Sequence, residues 1–66
     1  MENEIGTVIG MSYKIAASEL VKYNPNCVPV RYTPDNEELF MTAPYEPNRI
    51  KVLVDKNDFV TRTILG

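Results

Sequence analysis

Few residues of this chain could do chemistry. It has no histidine and a single cysteine, Cys27, among 66 residues. With no imidazole, no Ser or Cys nucleophile can be activated in the usual way and no side chain titrates near neutral pH as a general base. No other acid, base and nucleophile set stands out, so the chain is not expected to be an enzyme. One Cys without His also precludes an intramolecular disulfide and an ordinary zinc site. The run Asp55-Lys56-Asn57-Asp58 gathers oxygen donors, but it lacks the further ligands and the glycine of a calcium loop and reads as a hairpin turn. Glu37 and Glu38 are adjacent acids that read as solvated residues, not paired carboxylates. No metal and no cofactor is expected. Cys27 reads as a small buried apolar residue, with inter-chain pairing or oxidation as the alternative.

Charge and length narrow the classes further. Seven Lys+Arg against nine Asp+Glu give a formal charge of −2. The basic residues are spread from Lys14 to Arg62 and form no stripe for phosphates, so nucleic acid is a poor partner. No apolar run approaches the ~20 residues that span a bilayer, and Met-Glu-Asn-Glu at the start is acidic where a signal peptide is basic. A soluble chain is expected, whose export signal is missing or already removed. A domain this short has one core worth about 3–5 kcal/mol, so extra bracing is expected somewhere.

The elements that must position any site follow from periodicity. Residues 12–23 read as a helix, with Ser12 as cap and Ala16, Leu20 and Tyr23 on the buried stripe. Tyr13, Ala17 and Val21 form a second row, Lys14, Ser18 and Lys22 face solvent, and Asn24-Pro25 ends the helix. Residues 27–33 alternate as a strand with Val28, Val30 and Tyr32 on one face, and Pro29 marks it as an edge. Residues 34–47 carry three prolines and four acids without helical or strand period, and read as an exposed loop even though Leu39, Phe40 and Met41 stand in a row. The alternative is that the three fold back and cover the sheet edge, against which alternation in extended chain leaves at least one of them facing water. Residues 49–54 are the central strand, Ile50, Val52 and Val54 inward and Arg49, Lys51 and Leu53 opposite. After a turn at 55–58, residues 59–63 return as a hairpin strand. If the first two strands run parallel, the connection must travel along the sheet as an exposed, extended arch. A long connection of this kind is usually functional.

Pro47-Asn48-Arg49-Ile50-Lys51-Val52-Leu53-Val54-Asp55 resembles the central strand of the potato inhibitor I family, the eglin-like and barley chymotrypsin inhibitor-like serine protease inhibitors. Gly10-Met11-Ser12 with Ala16 and Leu20 resembles that family's helix entry, and Asn24-Pro25-Asn26 its helix end, so the likeness runs from about Thr7 to Gly66. It implies an α+β fold in a single domain spanning 1–66: one helix packed on a small mixed β-sheet, with a long exposed binding loop over 35–46. It also implies a reversible, substrate-like inhibitor whose preformed loop enters a protease cleft as an extended strand and places one side chain in the main pocket. The expected partner is a chymotrypsin-like or subtilisin-like serine protease with an apolar pocket, since no Lys or Arg lies within 34–47. The expected state is a monomer, secreted or vacuolar, although no Asn lies in a glycosylation sequon.

In that family basic side chains of the central strand brace the loop from below, a role that falls to Arg49 and Lys51 here, Lys51 lacking the guanidinium fork. The reactive-loop residues are Met41, Thr42, Ala43, Pro44 and Tyr45. Counting back from Arg49 makes Ala43 the pocket residue and Pro44 its successor; counting forward from Pro34 makes Met41 the pocket residue and Thr42 its successor. Met41 is favoured because it fills an apolar pocket and because a proline after the bond opposes cleavage, with Leu39 or Phe40 as further choices. Glu46 stands where the family often has Arg. Pro44, Glu46 and Lys51 therefore keep open the alternative of a non-inhibitory protein-binding module of the same fold.

Overall fold

The apolar alternation of Ile50, Val52 and Val54 marks the strand that ends up in the middle of the sheet. A computed structural model describes residues 7–66, and residues 1–6, with the acidic start of the chain, lie outside it. In chain order the elements are α1 (Tyr13–Tyr23), β1 (Val28–Tyr32), a 3-10 turn (Pro34–Asn36), α2 (Glu37–Thr42), β2 (Arg49–Val54) and β3 (Val60–Leu65). The sheet order is β1-β2-β3, with β1 parallel and β3 antiparallel to β2. The fold is α+β, two helices packed on a three-stranded mixed sheet.

One face of β2 carries the main core. Ile50, Val52 and Val54 pack with Ala16 and Leu20 of α1 and with Val8, Cys27 and Val60. Lys14, Ser18 and Lys22 are exposed, as the helical period requires. Tyr23, expected on the buried stripe, is 60% exposed; it is the last helical residue, and the chain leaves at Asn24 before any element covers it. Ser12 stands at the N-cap with extended backbone but makes no side-chain cap bond. The start of α1 is instead tied to the β2–β3 hairpin: the Tyr13 N–H donates to the Asp58 carbonyl at 2.8 Å, and Ser12 bridges to Phe59. Gly10 N–H to Val60 O and Val60 N–H to Met11 O, both 2.8 Å, stitch the preceding segment to the same hairpin.

That hairpin turns on Asp55, whose Oδ1 accepts the N–H groups of Asn57 at 2.9 Å and Phe59 at 3.0 Å. Asp58 takes the left-handed conformation, φ 72°, which Asp tolerates better than most residues. Two residues of β3 then oppose one of β2, since Leu53 pairs with Arg62 and Val54 with Val60. The Thr61 hydroxyl donates to the Leu53 carbonyl at 3.2 Å across this bulge.

The other face of β2 overturns the expectation of one helix and of an extended arch over 35–46. The connection winds into the 3-10 turn and α2 because Phe40 has a place to go. Register puts Tyr32, Leu53 and Arg62 side by side across the three strands, next to Lys51. Phe40 lies over that row, completely buried. Its ring meets Tyr32 edge-on, 5.9 Å between centroids at 67°, with Arg62 Cζ 5.5 Å and Lys51 Nζ 5.9 Å from its centroid. Pro34 opens the 3-10 turn, and Glu37 and Glu38 lie in the first turn of α2 where the helix dipole favours acids. Leu39 and Met41, 56% and 52% exposed, point off the sheet on either side of Phe40.

Candidate functional site

Beyond Thr33, the part of the connection left outside regular structure is residues 43–48, and a single side chain from β2 organises it. Ala43 ends α2: its N–H donates to the Leu39 carbonyl at 2.8 Å and its backbone turns extended, φ −57° and ψ 140°, as a residue before proline must. Asn48 closes the segment in the left-handed region, φ 68°. Its carbonyl accepts the Val28 N–H at 2.6 Å, which joins the segment to β1.

Between these ends, Arg49 works as a strut. Its Nη2 donates to the Pro44 carbonyl and, at 2.7 Å, to the Gly66 carbonyl, while Nε donates to the same Gly66 oxygen at 2.9 Å. The backbone closes the network. Gly66 N–H donates to Arg49 O at 2.7 Å, Glu46 N–H to Gly66 O at 3.0 Å, and Arg49 N–H to Glu46 O at 3.4 Å. The fork geometry of a guanidinium lets one side chain hold two carbonyls, and hydrogen bonds from a charged donor are the stronger kind. The Tyr45 ring lies against Gly66, where an added Cβ would stand 2.5 Å from Tyr45 Cδ1, and the side chain is nonetheless 76% exposed.

The expected site residues therefore separate into three groups. Met41 and Thr42 belong to α2, and the Thr42 hydroxyl donates back to the Glu38 carbonyl at 2.8 Å, so neither is in an extended strand. Ala43, Pro44 and Tyr45 form the irregular segment above Arg49. Lys51 is 4% exposed beneath Phe40, so its cation supports the underside of α2 rather than the segment at 43–46.

Phe40, a further choice of pocket residue, is completely buried and follows the alternative of folding back onto the sheet, and Gly66 as the second acceptor of Arg49 is not among the expected site residues. A signal for Phe40 was present: Pro34, then Asp35 and Asn36, then two Glu ahead of Leu39-Phe40 is the composition of a helix start. For Gly66 there was none, because its role depends on the register of β3.

Away from the strut, burial sets the titration of two groups. Burial pushes the Tyr13 phenol up, opposed by the nearby Arg31 guanidinium and reinforced by the Asp58 carboxylate. Burial likewise pushes up the Cys27 thiol, against a smaller opposing backbone hydrogen bond. A thiol held protonated is a poor nucleophile, so Cys27 is chemically quiet here.

A scan against protein-family models and a search of curated protein sequences both find no match.

Proposed function

We propose that this chain is a reversible, substrate-like inhibitor of a chymotrypsin-like or subtilisin-like serine protease, acting through residues 43–46. The observation that carries the reading is the Arg49 strut, which ties the Pro44 carbonyl to the end of β3 at Gly66. A segment stiffened before it binds loses little conformational entropy in the cleft, and both ends of a cut bond stay in place for resealing. Arg49 is also the residue that the potato inhibitor I resemblance assigns to bracing. With residues 37–42 helical, the stretch offered to a cleft is the part that follows α2.

A second reading is a non-inhibitory protein-binding module. It is favoured by α2 itself, because a helix cannot pair edge to edge with a protease strand and Met41–Thr42 is wound into it. Titration of subtilisin and chymotrypsin with the chain separates the two. The inhibitor reading expects stoichiometric loss of activity with at most one slow cut between Leu39 and Pro47; enzymes left fully active, or a chain degraded at several places, favour the module.

A further inference from the structure

We infer that Tyr45 is the side chain lodged in the enzyme's pocket and that Tyr45–Glu46 is the bond presented for attack, an inference that rests on the inhibitor reading above. Backbone direction is the first reason. In extended chain the polar groups of alternate residues point to opposite sides. Pro44 O accepts from Arg49, Glu46 N–H donates to Gly66 O, and Glu46 O accepts from Arg49 N–H. Pro44 O and both backbone groups of Glu46 are thus taken up by the scaffold, whereas Tyr45 N–H and C=O make no hydrogen bond among the described residues and are left for an approaching strand. Pro44, which has no N–H to offer, stands at a position where the enzyme needs none.

The side chain is the second reason. At 76% exposure Tyr45 is the most open of the large hydrophobic residues among those described. Its ring is big enough to fill a deep apolar slot and carries one polar end. The competing positions are each compromised. Met41 and Thr42 are helical, while Ala43 offers a single methyl and is followed by a proline nitrogen that makes a poor leaving group.

The chemistry then needs nothing beyond the protease. Its serine Oγ attacks the Tyr45 carbonyl carbon, its histidine carries the serine proton to the Glu46 nitrogen, and the C–N bond breaks. The products are a Tyr45 ester on the enzyme and a free Glu46 amine. Before the cut, the Glu46 N–H is bonded to Gly66 O and the Glu46 carbonyl to Arg49 N–H. The same two bonds keep the new amine beside the ester, so it attacks, expels the serine oxygen, and the proton returns to the serine through the histidine.

Brief exposure of the full chain to chymotrypsin, followed by fragment mass spectrometry, tests this together with two variants. The expected result is one cut after Tyr45 with both fragments still associated, about 100-fold weaker inhibition for Tyr45→Ala, and inhibition transferred to trypsin for Tyr45→Lys. A single cut at Met41–Thr42 or Ala43–Pro44, with Tyr45→Ala inhibiting as well as the parent, overturns the Tyr45 assignment and leaves the inhibitor reading standing. A parent chain that leaves chymotrypsin and subtilisin fully active overturns both.

Discussion

Arg49 reaches back along the chain to donate a guanidinium N–H to the carbonyl of Pro44, so a residue of the central strand holds the connection that precedes it. Replacement by Ala removes the strut without opening the main core, which lies on the other face of β2. Hydrogen bonds to a charged group contribute about 1.5–3 kcal/mol. Arg49→Ala is expected to raise the rate of proteolysis within 43–47 by about tenfold or more while the helical and strand signatures of circular dichroism persist. Arg49→Lys should recover only part of the protection, because an ammonium cannot fork between two carbonyls. Equal cleavage rates for parent and both variants would remove the bracing role.

Phe40 is the single buried residue of α2. Truncating a buried Phe to Ala costs about 3–5 kcal/mol, comparable to the whole stability of a domain this small. Phe40→Ala should unfold largely at room temperature, and Phe40→Leu should lower the urea midpoint while leaving a folded chain. A midpoint unchanged in Phe40→Leu would mean that α2 is only loosely attached.

The Arg31 and Asp58 side chains meet at 2.6 Å between Nε and Oδ1, both about half-exposed. Exposed ion pairs contribute roughly 0–1 kcal/mol. A double-mutant cycle with Arg31→Ala and Asp58→Ala should give a coupling below about 1 kcal/mol that shrinks further in 1 M salt, where the screening length is about 3 Å. A coupling several times larger would assign the pair a part in holding the hairpin turn to β1.

Cys27 and Tyr13 both have folded pKa values raised mainly by burial. Between the unfolded and folded pKa the unfolded chain binds fewer protons, so stability falls as pH rises. It should be fully present below about pH 8, where an unfolded thiol is still protonated, and decline on the alkaline side until the folded groups ionise. Urea midpoints at pH 7 and in mildly alkaline buffer measure the slope, and Cys27→Ala should flatten its first part. Alkylation of Cys27 in the native chain should be far slower than in urea.

Much of the scaffold can be read from side-chain period alone. Ile50, Val52 and Val54 alternate cleanly because the main core lies on one face of β2 while Arg49 and Lys51 occupy the other, and Ala16 with Leu20 marks the α1 stripe because its opposite side is all solvent. Asn24-Pro25 stops a helix wherever it occurs. The connection is not legible as a helix because six residues are too few for a helical period to declare itself, and α2 is held by one ring docked on a cross-strand row that exists only after the sheet has formed. Ser12 holds the cap position without a cap bond, and the Asp58 carbonyl, 46 positions further along the chain, takes only the first helical N–H, that of Tyr13. Among the site residues, Arg49 was legible because alternation fixes the face on which it lies. The same alternation put Lys51 on that face, yet could not foresee that Phe40 would cover it.

Pro29 lies in β1, an edge strand, and neighbouring Val28 directs its N–H inward to Asn48. The nitrogen that cannot donate therefore faces the margin of the sheet, where the Pro29 carbonyl is already taken by the Tyr13 hydroxyl at 3.4 Å. A fourth strand arriving there, whether from a second molecule or from a misfolded copy, meets a gap in the row of donors it would need. Concentrated solutions should accordingly resist fibril growth from this side, the missing donor of Pro29 and the occupied Pro29 carbonyl acting together.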